Sequence, residues 1–229
     1  MHVDSSARPG RVPRRPWQWL RREAPPLALM LLLLCAARDT LANHYQVPSG
    51  SMQPTLQPGD RVMVDMRAYG LRLPFTGLRL LDTGHPRRGD VAVFDSPVDG
   101  TRLIKRVVAV AGDRVELHDG YLRINGQRLS RVPRQERFGE RQVTLDLAAG
   151  GGPDIDGILI PAGKLLVLGD HRGNSLDGRF FGLVDADAVY GRARAVYWRR
   201  GSGPAWRPLY QVPTRFCVRI GLSNTCALP

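Results

Sequence analysis

Lysine is the scarcest charge in this chain. Of 33 basic residues only Lys105 and Lys164 are lysines, and the rest are arginines. An arginine keeps its proton inside a protein, whereas a buried lysine can lose it, so a chemistry that needs a free amine has two candidates. Cysteine is nearly as rare, at three residues, too few for a disulfide-built scaffold. No C-x-x-C or H-E-x-x-H spacing occurs, which argues against a structural zinc fold or a zinc peptidase. Neither glycine-rich phosphate-binding pattern occurs, so nucleotide chemistry has no footing. After residue 42 no apolar run of membrane length follows.

What is present is a chain of 229 residues, 43% hydrophobic and 24% charged, enough to bury a core. Its net charge is +12. Arg8, Arg11, Arg14, Arg15, Arg21 and Arg22 crowd the first 24 residues against Asp4 and Glu23, and the remaining excess is dispersed. With no duplex-reading motif, this pattern points away from nucleic acid and towards a membrane.

Residues 24–37, APPLALMLLLLCAA, are uncharged and mostly apolar. Extension to Ala42 gives the ~20 residues that a bilayer core requires. Read as a transmembrane anchor, 24–42 leaves 1–23 as a basic cytoplasmic start, with Trp17 and Trp19 at the inner interface and the rest of the chain exported. The segment also fits a cleaved signal peptide with Thr40-Leu41-Ala42 as the junction. A lipid attachment at Cys35 is disfavoured by Leu34 before it. In an oxidising compartment Cys217 and Cys226 close a small loop by disulfide or stay as two thiols; spacing alone leaves both open.

The exported part reads as β structure. Strand signals fall at 61–64, 90–94, 103–111, 165–168 and 189–198, each beside Gly, Pro or Asp turns. Residues 114–118 and 121–124 alternate around Asp119-Gly120, the chemistry of a tight hairpin, and Asn125-Gly126 supplies another. These short strands predict an all-β sandwich or barrel-like body. Residues 130–157 read as a polar, loop-rich insertion with a poorly packed tip, and 200–215 as a Pro-, Gly- and Arg-rich surface tail.

Three segments can carry chemistry. In Val47-Pro48-Ser49-Gly50-Ser51-Met52-Gln53-Pro54-Thr55-Leu56, prolines fix the backbone and two hydroxyls stand two residues apart. One can attack while the other donates a hydrogen bond; an ordinary turn uses the same residues. A serine nucleophile needs a base. Among the histidines only His171, after Asp170, suggests a triad, and a solvated loop position explains it as well. Lys105 lies among aliphatic residues with Arg106 on the opposite face of one strand. If it points inward, desolvation lowers its pKa and frees the amine. The third segment, Leu168 to Gly182, is too polar for a strand; Asp177 and Arg179 can brace it as a pair, and Ser175 can bond a nearby amine.

Together, PSGSMQPTL at 48–56, AYGLRLPF at 68–75, IKRVVAVAGD at 104–113 and GDHRGNSLDGR at 169–179 resemble bacterial type I signal peptidase, the leader peptidase family. The resemblance covers most of 24–199. It implies a mainly β fold, with an N-terminal transmembrane helix followed by a two-part antiparallel β catalytic body. The catalytic domain would be 43–112 with 166–199, and 113–165 an inserted hairpin and loop subdomain, with 200–229 as a tail. It implies a Ser–Lys dyad with Ser51 as nucleophile and Lys105 as general base and then acid. The Ser51 N–H and the Ser49 hydroxyl would form the oxyanion hole; Ser175 would orient Lys105; Asp177, Arg179 and Arg106 would support them; no metal or other cofactor is implied. Its substrates would be exported preproteins with small residues at the −1 and −3 positions, cut at the outer face of a bacterial plasma membrane. The nine residues from Ala42 to Ser51 reach at most about 32 Å, which keeps Ser51 near that surface. The apolar Tyr69–Phe75 segment is expected to rest on lipid. His171, Gly173 and Gly178 stand where the family more often has Asn, Asp and Ser, and the single anchor departs from a double-anchored form. Two other readings use the same features: a specialised relative maturing a narrow substrate such as a conjugative pilin, and a catalytically silent, membrane-tethered β binding module.

Overall fold

The computed structural model describes residues 23–31, 42–72 and 79–210. The chain divides into units of residues 1–39 and 40–229. In the first, 23–31 form helix α1. Among the described residues no helix is long and apolar enough to cross a membrane. Residues 1–22 and 32–41, which hold the basic start and most of the expected anchor, lie outside the described residues, as do Cys35, Cys217 and Cys226.

The second unit is built on antiparallel strands. Its main sheet contains β1 (Ala42–Gln46), β2 (Arg61–Asp65), β5 (Val91–Asp95), β6 (Arg102–Val110), β13 (Lys164–Leu168), β14 (Val184–Asp185), β15 (Val189–Arg199) and β16 (Gly203–Pro208). Their order is β1-β2-β15-β5-β6-β13-β14, with β16 beside β15. β7 (Arg114–His118), β8 (Tyr121–Ile124), β9 (Gln127–Arg128) and β12 (Ile155–Leu159) make a smaller sheet in the order β12-β7-β8-β9. β3 (Leu71–Arg72) with β4 (Arg79–Leu81), and β10 (Gln135–Phe138) with β11 (Arg141–Thr144), form two hairpins.

The turns follow from their residues. Asp119 and Gly120 have φ of 50° and 80°, and Asn125 and Gly126 have 51° and 78°. Two successive left-handed residues match the twist of the flanking strands, and Asx-Gly adopts them at least cost. β5 reads as a continuous apolar run because it is covered on both sides. Val91 and Val93 pack with Val62, Val64 and Met52, while Ala92 and Phe94 pack with Val107, Val167 and Val189. The small sheet closes a third cluster of Val115, Leu117, Leu122, Phe138, Val143 and Leu166.

Three expectations are corrected. The stretch 130–157 is not mainly loop: it carries β10, β11 and the start of β12, and Phe138, Val143, Leu145 and Ile155 lie in the core. Its inward positions alternate with exposed Arg137, Gln142 and Thr144, and these polar residues mask the period. The surface tail is a strand over Gly203–Pro208, and the Val91 N–H donates to the Tyr210 hydroxyl at 2.8 Å. Pro204 and Pro208 are tolerated there because β16 has a neighbour on one side only. Tyr69 does not rest on lipid: it is buried and its hydroxyl donates to Asp90 Oδ2 at 2.9 Å. Residues 73–75 of that segment lie outside the described residues.

Candidate active site

Ser51 sits in a short 3-10 turn, Gly50–Met52, between β1 and β2. Met52 and Leu56 are fully buried and pin the turn to the sheet, and the Leu56 N–H donates to the Met52 carbonyl at 2.9 Å. Lys105 projects from the middle of β6. Its Nζ donates to Ser51 Oγ at 2.5 Å. Ser49 Oγ lies 3.2 Å from the same oxygen. Lys105 is 3% exposed. Burial pushes its pKa from 10.5 down to about 8; the negative charges of Asp177 and Asp170 oppose that shift and the positive charge of Arg179 assists it.

Arg106, the next residue, is equally buried and faces the other way. Its Nε and Nη2 clasp Asp170 at 2.8 and 2.6 Å, and its Nη1 donates to the Gly89 carbonyl at 2.8 Å. Burial alone would lower its pKa; the Asp170 carboxylate reverses that and holds it above the ordinary value. Thr55 Oγ1 also donates to Asp170, at 2.5 Å, so the nucleophile segment, β6 and the loop after β13 meet at one carboxylate.

That loop runs from Gly169 through a 3-10 turn, Arg172–Asn174, to helix α2 (Gly178–Phe181). Asp177 accepts from the Gly169 N–H at 2.9 Å and binds Arg179 Nε and Nη2, both at 2.8 Å. The Asp177–Arg179 brace is therefore formed, with both side chains buried. The His171 N–H donates to the Ser51 carbonyl at 3.1 Å. Gly169 permits this approach: a Cβ there would lie 2.4 Å from the Ser51 carbonyl oxygen and 2.2 Å from Ser175 Oγ. Ser175 Oγ is buried without a hydrogen-bond partner, so the contact to Lys105 that the resemblance implies is not made here. His171 is not a solvated loop residue: its side chain is 12% exposed, both ring nitrogens are buried without a hydrogen-bond partner, and Asp146 Oδ2 lies 3.9 Å from Nδ1. It reaches Ser51 through its backbone only.

Ser49, Ser51 and Lys105 thus converge, with Arg106, Asp177 and Arg179 in buried ion pairs around them. Sequence reasoning missed Thr55 and Asp170, although both stand inside quoted motifs; their pairing across 115 residues has no local signal. Among the described residues no group of three or more His, Cys, Asp or Glu converges as a metal site. A buried amine against a hydroxyl, with a second hydroxyl alongside, is equipment for nucleophilic attack at a carbonyl.

Residues 19–198 match the family described as signal peptidase, peptidase S26. The chain belongs to this family. The signal peptidase I of Pseudomonas fluorescens is 33% identical over 195 residues, spanning 73% of this chain and 69% of that protein. That of Bacillus licheniformis is 31% identical over 184 residues, spanning 80% and 88%. A crystal structure of a signal peptidase I from Enterococcus faecalis V583 is 31% identical, covers 48% of this chain and 97% of that one, and has a TM-score of 0.35. Membership in the signal peptidase family makes the chain a peptidase, and the segments 48–56, 104–113 and 169–179 all fall inside the matched span.

Proposed function

We propose that this chain is a membrane-anchored serine endopeptidase that removes signal peptides from exported preproteins through a Ser51–Lys105 dyad. The observation that carries the reading is the buried 2.5 Å contact between Lys105 Nζ and Ser51 Oγ. With its pKa lowered to about 8, about one Lys105 in ten is a neutral amine at pH 7. In that form the amine accepts the Ser51 proton as Oγ attacks the scissile carbonyl carbon. The oxyanion is received by the Ser51 N–H and the Ser49 hydroxyl. The resulting Lys105 ammonium returns a proton to the leaving amine, which breaks the C–N bond and leaves an ester on Ser51. Water, deprotonated by Lys105, then cleaves the ester and restores both groups.

Small residues at the −1 and −3 positions suit a cavity of about 110 Å³ lined by Tyr45, Val47, Pro48, Leu103 and Ile104. Val47 and Pro48 open the nucleophile segment, and Leu103 and Ile104 precede Lys105 in β6. Residues 24–42 would serve as the single-pass anchor, with 1–23 in the cytoplasm and the catalytic unit outside the bacterial plasma membrane. Asp177, Arg179 and Arg106 take the supporting roles.

The test uses the detergent-solubilised protein with Ser51→Ala and Lys105→Met and a preprotein fragment carrying an Ala-x-Ala junction. Mass spectrometry is expected to find a cut after the final Ala in the wild type and none in either variant. A cut that survives Lys105→Met would move the base elsewhere. Resistance of the full chain to alkaline carbonate extraction, lost on deletion of 24–42, tests the anchor.

A further inference from the structure

The inserted segment carries a carboxylate that the catalytic chemistry does not use. On β10 the residues alternate, and Glu136 points inward on the same side as Phe138, a place where the pattern calls for an apolar residue. Its side chain is fully buried, as is that of Arg172 opposite it. Arg172 Nη2 donates to Glu136 Oε2, and Nη1 to Oε1 at 3.2 Å. The same guanidinium donates to the Gly120 carbonyl and, through Nε, to the Gly169 carbonyl at 3.2 Å. Glu136 Oε1 also accepts from the Leu122 N–H at 2.8 Å.

A buried ion pair is a poor source of stability, because desolvation of both charges consumes most of the attraction, and an apolar pair of similar volume does as well or better. What the pair supplies is direction. Arg172 belongs to the loop that touches the nucleophile: its neighbour His171 holds the Ser51 carbonyl at 3.1 Å. The inserted segment grips this loop through three more hydrogen bonds. The Arg172 N–H donates to the Asp146 carbonyl at 3.0 Å, and the Asp146 N–H to the Asp170 carbonyl at 2.9 Å. Arg179 Nη1 donates to the Gly151 carbonyl at 2.7 Å. One residue therefore separates the Glu136 ion pair from the Ser51 backbone.

We infer that Glu136 is a positioning residue for the peptidase reaction, and that the inserted segment 113–165 holds the 169–175 loop, and through it Ser51, in the attacking position by way of Arg172. This inference rests on the Ser51–Lys105 reading and extends it to a part of the chain outside the catalytic motifs. Misplacement of an attacking group by about 1 Å costs about a hundredfold in rate. The expected loss is therefore in kcat and not in substrate binding.

The test compares the full-length protein with Glu136→Gln and with the double variant Glu136→Leu, Arg172→Met, which replaces the ion pair by an apolar one. In the double variant the expected result is a melting temperature within a few degrees of wild type, kcat at least tenfold lower and KM within twofold. Hydrogen exchange gives a readout independent of catalysis: the His171 amide should lose at least tenfold in protection while β6 keeps its own. A double variant that folds with kcat and His171 protection within twofold of wild type overturns the inference. Unfolding of both variants overturns it as well, since it would assign the pair to stability. Failure of the Ser51–Lys105 reading is separable, because it would appear in the wild type and in Ser51→Ala, while the His171 amide would still report on Glu136.

Discussion

Lys105 and Arg106 are neighbours on one strand, each 3% exposed, yet the two faces of β6 treat a positive charge in opposite ways. On the Arg106 face Asp170 meets the guanidinium with two hydrogen bonds, and the charge is held. On the Lys105 face the group within hydrogen-bond reach is an uncharged hydroxyl, with Asp177 and Asp170 acting only at longer range, and the charge is discouraged. Depth is the same; the partner decides. The arginine is an anchor that joins three segments, and the lysine is an amine kept near the point of losing its proton. An exchange of the two residue types would fail on both faces: guanidinium cannot give up its proton, and a lysine cannot clasp a carboxylate bidentately while reaching Gly89.

The contrast can be broken first at Lys105. Lys105→Met is expected to lower kcat/KM by about 10³-fold or more, measured on a preprotein fragment, because the proton acceptor is gone. The fold should not suffer. A lysine whose folded pKa lies near 8 against 10.5 is protonated more fully in the unfolded chain between those values, so wild-type stability rises with pH across that window. Below pH 8 the burial cost is fully present, of order 3 kcal/mol. Lys105→Met should be more stable than wild type at pH 7, with the difference shrinking towards pH 10.5, as read by urea unfolding at several pH values.

Arg106→Met should behave in the opposite way. It strands Asp170 as a buried carboxylate and is expected to cost about 3–5 kcal/mol in the same unfolding assay. The pH–rate profile sharpens the comparison further. The rise of kcat/KM with pH is expected to level off near pH 8, where Lys105 becomes neutral. Asp177→Asn removes a charge that holds this pKa up, so the rising limb should move to lower pH. The smallest effect is expected from Thr55→Val, which deletes one hydrogen bond to Asp170 and should cost about 1 kcal/mol while leaving the limb near 8.

Much of the strand layout could be read along the chain because each strand ends at a residue with a mechanical reason to turn. The strands 114–118 and 121–124 around Asp119-Gly120 are the clearest case. Ser51 and Lys105 stood out through their motifs, but the facing of Lys105 did not, since β6 is buried on both sides and alternation carries no polarity there. β10 and β11 were hidden by charged residues on their exposed sides, and by Glu136 on the buried side, whose partner lies 36 residues away. β16 was hidden by its prolines, because pairing on a single edge leaves little trace in composition. The buried setting of His171 was equally invisible, as it depends on contacts with distant segments.

Gly169 marks where the nucleophile turn and the bracing loop touch main chain to main chain. The tolerance at that seam is less than one methyl group. An added methyl would act as a wedge, separating the part that holds Ser51 from the part that holds Asp177 without altering any reacting atom. The peptidase can thus be disabled by carpentry alone, with all its reagents intact but no longer assembled.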